Sequence, residues 1–590
     1  MLLALIASVL ADTAQLRCAD RVFSLPERPF MQKLLTRDGL HVTAVDGLPE
    51  GLTLHSDRPA YRYISGTAPA PGQYTYTVRL DDGTSREMVL TVSPDLPQPT
   101  PFMGLLTWNS FEGHISDDNI KALADAYHTF GLKDAGYSYM CIDDKWAAHD
   151  RQDGHLVWGD KFRDPAGVID YVHDRGLKIG IYSDAGSRTC SGAQPGSYGY
   201  EQVDASDFLS WGFDLLKYDF CNATGGTDAP SAEKAYKAMG DALSQAEREK
   251  KAAAVEKAAA EGKPAQQAAA PSPFVYYMCE WGDRKPWEWA ARTGATCWRA
   301  TADTRDYWSD TTYRGGVLQV LSVMKEIWAY QGVNRWNDAD MLMVGLHGTG
   351  YSSNDGGGAG YPAGLTQEEA RTNFALWCMF ASPLTLSCNI TNLDGLPNSR
   401  TGKPVTNPHY REDLDIILNR ELIAIDQDPL GQAGEPIIDT PDCLVMQKDL
   451  ADGSIALSIT NLSSQPRPIS VPLSLLSALK PGLPYQMRDL WHHAYLTSAP
   501  SSACSTPSVS PSGSTPSVLP LHADRSSLRS ASLRDASLEG QKNSQRSSLN
   551  SQRSSLNVPP PHTILTTSDT FIDTLPTHAT HVFRLIPVDM

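Results

Sequence analysis

The sequence predicts a multidomain protein with an N-terminal β-sandwich module, a central (β/α)8 TIM barrel and a C-terminal antiparallel β-sandwich. Its 590 residues are enough for about three or four domains of ordinary size. Strand patterns at both ends flank a long middle region in which short apolar runs alternate with helical spacing. In that region an acidic residue follows several of the apolar runs, where the strands of a barrel would end.

The composition excludes several classes of protein. Hydrophobic residues make up 41% of the chain and charged residues 20%, which is ordinary for globular domains and excludes a disordered chain, a collagen or a coiled-coil rod. The net charge is -18, from 68 acidic and 50 basic residues, which argues against nucleic acid as a partner. A neutral or weakly charged substrate fits better. No run of about 18 apolar residues is present, so no membrane span is predicted.

Residues 1–19 are predicted to be a signal peptide and its lead-in. The apolar run Met1–Leu10 leads to Ala11, and small residues at such a point suit cleavage by signal peptidase. No Lys or Arg precedes the run, so a buried strand is the alternative. We expect export, to the medium, a periplasm or a cell surface. The ten cysteines are too few for a disulfide scaffold in a chain of this length.

Residues 20–98 are predicted to form an all-β module. Apolar and polar residues alternate over Tyr74–Leu80, the period of a half-buried strand, and Gly47–Leu52 supplies a turn. The LPxGL and ISGT motifs of this region resemble those of immunoglobulin-like modules joined to exported bacterial enzymes. The proline-rich segment 95–101 then predicts a stiff linker. Whether the module binds glycan or spaces the barrel from a surface is left open.

Residues 102–432 are predicted to form the barrel. Strand candidates alternate with helical segments such as Asn119–Phe130 and Pro165–Arg175, and repeated βα units imply a parallel sheet. The strand candidates are Tyr139–Ile142, Leu177–Tyr182, Leu215–Tyr218 and Phe274–Met278. Acids follow each of them, namely Asp143-Asp144, Asp184, Asp219 and Glu280. In a closed barrel these acids converge on the face that carries the active site.

Two segments interrupt this order. Residues 241–272 are rich in Ala, Glu and Lys without an apolar stripe, which predicts a solvated helix or a flexible excursion. Residues 497–562 are rich in Ser and Pro, and such a composition cannot bury enough apolar surface to order itself. We expect this second insertion to be disordered within a C-terminal β-sandwich of residues 433–590. Its predicted strands are Ile455–Ile459, Tyr485–Leu490 and Val582–Leu585.

Two acids beside cations suggest the chemistry. Asp219 ends a strand with Lys217 two residues before it, and Asp303 follows Arg299 by four residues. Two carboxylates on neighbouring loops of one barrel face suit glycoside hydrolysis, in which one attacks the anomeric carbon and the other protonates the leaving oxygen. In a chain with 68 acids this pattern alone is weak.

A family resemblance makes the pattern specific, because eight ordered blocks of residues 103–432 resemble glycoside hydrolase family 27, the α-galactosidases and α-N-acetylgalactosaminidases. The resemblance implies a (β/α)8 barrel followed by an antiparallel β-sandwich. The blocks are Met103–Ser110, Gly131–Tyr137, Ile142–Asp144, Gly180–Asp184, Leu216–Asn222, Cys279–Gly282, Trp336–Leu342 and Gln427–Gly431.

The resemblance also implies roles for individual residues. It makes Asp219 the nucleophile and Asp303 the acid/base, with carboxyl groups about 5–5.5 Å apart in a retaining enzyme and Asp303 protonated at rest. Lys217 and Arg299 are similar to sugar-contacting cations, whose charge we expect to keep Asp219 ionised. The remaining implied sugar contacts are Asp143 and Asp144, which accept from the 4- and 6-hydroxyls, and the aromatic walls Trp108 and Tyr182.

Cys279 and Trp281 bear on which sugar binds. In the family a bulky wall here meets the 2-hydroxyl of galactose, whereas small residues admit an acetamido group. The sequence therefore predicts a retaining exo-α-galactosidase acting on terminal α-galactosides, with an α-N-acetylgalactosaminidase or another exo-glycosidase of the family as the alternative. A non-catalytic glycan-binding protein on a dead barrel is the alternative of another class, but it is expected to lose Asp219 or Asp303.

The chain also departs from the family pattern. Cys190 and Cys221 resemble one family disulfide and are expected to pair, whereas both partners of another are absent, with Lys145 in one of the positions. Cys297 has no clear counterpart, and a bond from it to Cys279 would alter the 2-hydroxyl wall. No metal is predicted, because the side chains of the adjacent pair His492-His493 do not face the same way. No cofactor is predicted, since the chain lacks a nucleotide-binding GxGxxG pattern. A carbohydrate is the expected partner, and homo-oligomerisation is left open.

Overall fold

The computed structural model describes residues 15–37, 39–261, 273–309, 315–348, 364–392, 409–496 and 563–588. The apolar run of the predicted signal peptide and the Ser/Pro-rich insertion at 497–562 lie outside these residues. Among the helices of the described part, we find none with the length and hydropathy needed to cross a bilayer.

The N-terminal module is a β-sandwich. One sheet has the strand order β1-β7-β6-β3, and the other has the order β2-β5-β4. The alternation predicted for β6 is present, because Tyr76, Val78 and Leu80 are buried between the sheets. The strands are β1 (Arg21–Ser24), β2 (Pro29–Leu34), β3 (Val42–Asp46), β4 (Leu52–His55), β5 (Arg62–Thr67), β6 (Gly72–Leu80) and β7 (Ser85–Val92).

The central domain is an eight-stranded parallel sheet with the order β14-β13-β12-β11-β10-β9-β8-β15. Its two outermost strands approach each other where the backbone N–H of Leu342 donates to the carbonyl of Thr385 at 2.8 Å, which closes the barrel. The strands are buried almost throughout, as expected for parallel strands covered by helices. They are β8 (Met103–Leu106), β9 (Tyr139–Cys141), β10 (Lys178–Asp184), β11 (Leu215–Asp219), β12 (Val275–Met278), β13 (Cys297–Arg299), β14 (Trp336–Asp338) and β15 (Leu384–Leu386).

Helices surround this sheet and begin at recognisable caps. Asp164, which directly precedes Pro165, accepts a hydrogen bond from the Gly167 N–H through its side chain. Thr366 forms a capping box with Glu369. Both caps satisfy backbone donors that a helix start leaves without partners. The helices are α1 (Trp108–Phe111), α2 (Asp117–Thr129), α3 (Leu132–Ala135), α4 (Pro165–Asp174), α5 (Glu201–Trp211), α6 (Ala229–Ala260), α7 (Val317–Met324), α8 (Gln367–Phe380), α9 (Tyr410–Ile417) and α10 (Arg420–Asp426).

Helix α6 corrects one expectation. The predicted excursion began at residue 241, yet Ala242, Leu243 and Ala246 are buried against the barrel. The apolar stripe therefore continues past the predicted boundary, because the preceding turns of the helix set which face of this segment packs. The helix continues to Ala260. Residues 262–272 lie outside the described part of the chain.

The C-terminal domain is a β-sandwich of a seven-stranded antiparallel sheet and a two-stranded one. Val445, Leu457 and Phe583 from the larger sheet pack against Val471 and Phe571 from the smaller. The strands are β16 (Glu435–Thr440), β17 (Cys443–Asp449), β18 (Ile455–Asn461), β19 (Arg467–Pro472), β20 (Tyr485–Asp489), β21 (Ala494–Tyr495), β22 (Ile564–Leu565), β23 (Thr570–Leu575) and β24 (Thr580–Pro587).

A buried cluster of charges joins the N-terminal module to the C-terminal sandwich. The Lys33 ammonium lies 2.9 Å from Asp449 and 3.2 Å from Glu435, and the Arg58 guanidinium donates to both oxygens of Asp449. Tyr61 donates its hydroxyl to Glu435. We refer to Lys33, Arg58, Tyr61, Glu435 and Asp449 as the junction cluster. It fixes the module against the rest of the chain with paired charges.

Candidate active site

The acids predicted at strand ends meet at one edge of the barrel. Asp184 and Asp219 end the neighbouring strands β10 and β11 in register, and Arg299 is the register partner of Asp338 on the strands β13 and β14. Because all eight strands are parallel, their carboxyl ends share one face, where barrels of this kind place their chemistry.

Asp219 lies at the centre of this face, with its side chain buried. Its Oδ1 is buried without a hydrogen-bond partner among the described residues. Burial raises the pKa of the Asp219 carboxyl to about 8, although Lys217 acts in the opposite direction, and Asp184, Asp303 and Asp143 raise the pKa further. In this structure burial and the neighbouring carboxyls outweigh Lys217, which acts against the expectation that the cations keep Asp219 ionised.

Lys217 connects the nucleophile candidate to the predicted sugar contacts. Its ammonium lies 2.7 Å from Asp143 and 5.5 Å from the centre of the Tyr182 ring. Burial acts to lower the pKa of Lys217, but Asp143, Cys279 and Asp219 together outweigh it and hold the pKa above its ordinary value. Asp144 accepts from the backbone N–H of Ser191 at 2.9 Å. The structure thus brings these predicted residues into one connected group.

Arg299 links Asp303, the second catalytic candidate, to Asp340, for which the sequence predicted no role. Its guanidinium lies 3.0 Å from Asp303 and 3.0 Å from Asp340, which is fully buried. The Asp303 side chain is 63% exposed, so one face of this ion pair is open to solvent. Asp340 lies in the block Trp336–Leu342 of the family resemblance, but only the fold shows that it faces Arg299.

The predicted 2-hydroxyl wall is a tightly held loop. Arg299 Nη1 lies 3.7 Å from Cys279 Sγ, and Trp281 has a left-handed backbone with φ 60°, which is strained for an aromatic residue. Gly282 also has a positive φ, and a Cβ there would lie 2.1 Å from the carbonyl oxygen of Ala300. The loop is therefore wedged against the end of β13.

A buried ion pair clamps this loop from within. Glu280 is fully buried, and its carboxylate accepts from the guanidinium of Arg284 at 2.6 Å. Arg284 in turn donates to the carbonyl of Thr227 and lies over the ring of Phe220, directly after the nucleophile candidate. Glu280 was predicted only to follow a strand and Arg284 had no predicted role, because their pairing depends on the loop conformation.

Trp108 and Lys145 contact each other in a region where this chain departs from the family pattern. The Lys145 ammonium lies 5.3 Å from the centre of the Trp108 ring, and its stem packs so closely on Gly113 that a Cβ there would be 2.6 Å from Lys145 Cδ. The Lys145 backbone N–H also donates to Asp144. A cation over an aromatic face thus joins two pocket loops of this chain without a covalent bond.

The predicted disulfide between Cys190 and Cys221 is confirmed. It ties the loop after β10 to the residues that follow Asp219, where the Cys221 N–H donates to Asp184 at 2.9 Å. Cys279 and Cys297 are both free and buried, so no bond between them alters the wall. Within the described residues, Asp184, Cys190 and Cys221 are the one group close enough to hold a metal ion, but both sulfurs are engaged with each other.

The class of protein follows from the fold and from comparison of the chain with known protein families. A (β/α)8 barrel with acid–cation pairs at the carboxyl ends of its strands is the arrangement of a glycoside hydrolase. The family model "Alpha galactosidase A" matches residues 100–428, which is more than half of the chain. The model of the alpha galactosidase C-terminal beta sandwich domain matches residues 440–515, and that of the "Putative Ig domain" matches residues 25–94. The chain belongs to the alpha galactosidase A family, which confirms the resemblance, the fold class and the enzyme class predicted from the sequence.

Individual proteins agree with this assignment. Alpha-galactosidase A of Cellvibrio japonicus is 35% identical over 370 residues, covering 61% of this chain and 76% of the relative. The alpha-galactosidase of Cyamopsis tetragonoloba is 34% identical over 399 residues, covering 67% and 80%. A solved structure of a "putative alpha-galactosidase" from Bacteroides fragilis has a TM-score of 0.59 and 30% identity, covering 97% of this chain and 98% of that chain.

Proposed function

We propose that the protein is an exported retaining exo-α-galactosidase, which removes terminal α-linked galactose from oligosaccharides or glycoconjugates. Membership of the family and the names of the relatives support this function. The observation that carries it is that Asp219, close enough to Lys217 for that cation to lower its pKa, shares one barrel face with the ion pair of Asp303 and Arg299. Export rests on the apolar N-terminal run and agrees with the disulfide, since disulfides persist in oxidising compartments.

Asp219 is the proposed nucleophile and Asp303 the proposed acid/base. Asp219 has a buried oxygen that accepts no hydrogen bond from the described residues, so it can attack the anomeric carbon and form a glycosyl ester. Asp303 is exposed on one side, so it can give a proton to the leaving oxygen and then take one from the attacking water. Two inversions at the anomeric carbon retain its configuration.

The remaining predicted residues would bind the sugar. Asp143 and Asp144 are proposed to accept from the 4- and 6-hydroxyls, with Lys217 neutralising Asp143 at 2.7 Å. Trp108 and Tyr182 are proposed as the aromatic walls, and Arg299 as a second cation at the sugar.

Galactose is the proposed sugar because Cys279 and Trp281 fill the side that meets the 2-hydroxyl. The close approach of Cys279 to Arg299 supports a wall without room for an acetamido group. We also propose the domain division 20–98, 102–432 and 433–590, in agreement with the two N-terminal sheets, the barrel sheet and the two C-terminal sheets.

The test is hydrolysis of p-nitrophenyl α-galactoside and p-nitrophenyl α-N-acetylgalactosaminide. We expect galactoside cleavage, with the α-anomer as the first product in proton NMR. Preference for the acetamido sugar would contradict the proposed role of Cys279 and Trp281. Release of the β-anomer first would contradict the double displacement, and absence of activity on both substrates would favour a dead barrel.

A further inference from the structure

Two tyrosines stand out on the surface of the described residues. Tyr198 is 47% exposed and Tyr200 is 42% exposed, and they share a loop between β10 and α5. The other highly exposed large apolar side chains of the described residues, Leu475 and Ile564, belong to the C-terminal sandwich. Exposed aromatic rings on a loop of the catalytic face need an explanation, because their apolar surface is costly in water.

Tyr200 is held rigidly from behind. The Arg151 guanidinium lies 4.2 Å from the centre of the Tyr200 ring, and the same guanidinium donates to both oxygens of the fully buried Asp204. It also donates to the carbonyls of Gly154 and Gly196. Gly154 itself lies under the ring, since a Cβ there would be 3.7 Å from Tyr200 Cε1. The ring is thus preorganised in the absence of any partner.

The tyrosine loop is tied to the candidate active site. The Ser197 N–H donates to the carbonyl of Asp184, which is the register partner of Asp219. The Tyr198 N–H donates to the carbonyl of Gly186. The disulfide of Cys190 lies within the same loop and fixes it to the nucleophile segment. The loop that carries both rings is therefore part of the catalytic face.

We propose that Tyr198 and Tyr200 form a stacking platform for the neutral saccharide chain that carries the terminal galactose. The C–H faces of sugar rings pack on aromatic faces, and tyrosine hydroxyls can bond sugar hydroxyls at the same time. The inference rests on the proposed function, since it names the part of the substrate that remains after galactose leaves. A polysaccharide fits the platform better than a second copy of the chain, because two side chains are far less than the roughly 800 Å² that each partner contributes to a stable interface.

The experiment compares platform variants on long and short substrates. The variants are Tyr198→Ala, Tyr200→Ala and their combination, with Ile564→Ala as the matched control for loss of an exposed apolar side chain. We expect the combined variant to raise KM on galactomannan about 5-fold or more with kcat nearly unchanged. On p-nitrophenyl α-galactoside, which has no saccharide chain beyond the galactose, both constants should stay within about 2-fold. Tyr200→Phe should keep most of the galactomannan affinity.

A binding measurement separates this inference from the proposed function. Migration of the chain in gels that contain galactomannan reports binding whether or not any bond is cleaved. We expect retardation that the combined variant weakens and that Ile564→Ala leaves intact. Unchanged retardation in the combined variant would overturn the platform even if the enzyme is an α-galactosidase. An equal loss on both substrates would assign the tyrosines to folding, and a dimer that these variants dissociate in sedimentation would assign them to self-association; either result overturns the platform.

Discussion

The junction cluster and the group of Lys217, Asp219, Arg299 and neighbouring carboxyls in the candidate active site both bury charged side chains. They differ in the balance between cations and carboxylates. At the junction, Lys33 and Arg58 face Glu435 and Asp449, so two cations meet two carboxylates. Burial alone would raise the pKa of Asp449, but Lys33 and Arg58 hold it well below its ordinary value. In the active site, by contrast, burial raises the pKa of Asp219 to about 8.

The difference is one of charge pairing. Lys217 is engaged with Asp143 and Arg299 with Asp303 and Asp340, so Asp219 is left among more carboxylates than cations. In the fully paired junction cluster the side chains stay ionised, and the cluster joins the N-terminal module to the C-terminal sandwich. An incompletely paired cluster favours the protonated form of its buried carboxyl, so Asp219 must lose its proton before it attacks an electrophilic carbon.

Removing the charge of Asp219 should have the largest effect on activity. Asp219→Asn cannot form the glycosyl ester, so we expect kcat on p-nitrophenyl α-galactoside to fall about 10³-fold or more. Initial rates measure this, with circular dichroism to verify folding. Residual activity within about 10-fold of the wild type would contradict the assignment.

The same substitution should stabilise the fold in a pH-dependent way. Between the ordinary pKa of an unfolded Asp and about pH 8, the folded state holds a proton that the unfolded state releases, so Asp219 lowers stability as pH rises. Asp219→Asn should therefore gain relative to the wild type from pH 5 to pH 8, by at most about 1.4 kcal/mol per pH unit. Urea unfolding at both pH values measures the difference, and a gain that is equal at both would contradict the raised pKa.

Breaking the junction cluster should destabilise the fold without affecting the chemistry directly. Asp449→Asn leaves the buried Lys33 and Arg58 with Glu435 as the remaining carboxylate of the cluster, which costs about 3 kcal/mol. Asp46→Asn in the N-terminal module removes an exposed partner of Arg79 and should cost less than about 1 kcal/mol. Urea unfolding compares the two variants. Because the pKa of Asp449 is lowered, the wild-type advantage should be present above about pH 4 and fall as acid approaches the folded pKa.

Loosening the wall loop should have the smallest of these effects. Arg284→Met removes the partner of Glu280 and should let Trp281 relax from its left-handed backbone. We expect the preference for galactoside over N-acetylgalactosaminide, measured as a ratio of kcat/KM, to fall about 5-fold. Lys285→Met, a neighbouring cation with a matched substitution, should keep the ratio. An unchanged ratio in Arg284→Met would show that other contacts hold the wall.

The sequence predicted the residues at strand ends because strand order alone brings them together. Asp143, Asp219 and Asp303 each follow a strand of a parallel barrel, and parallel strands share one carboxyl edge. The family resemblance added the pairing of Cys190 with Cys221, which spacing could not give.

Contacts that depend on loop conformation could not be predicted in the same way. Arg284 reaches Glu280 because Trp281 and Gly282 have positive φ, which no periodicity reveals. Lys33 and Asp449 lie in different domains, and only domain docking brings them within 2.9 Å. The buried stripe of helix α6 continues past residue 241, the predicted start of the solvated segment, because tertiary packing, rather than local composition, decides where an apolar stripe ends.

The most direct test of the nucleophile is to trap the covalent intermediate. A 5-fluoro-α-galactosyl fluoride slows the second displacement, so the glycosyl ester accumulates, and peptide mass spectrometry locates it. We predict the added sugar on the peptide that contains Asp219, with Asp303 unmodified. A sugar on Asp303 or on another carboxylate would contradict the central role of the incompletely paired Asp219.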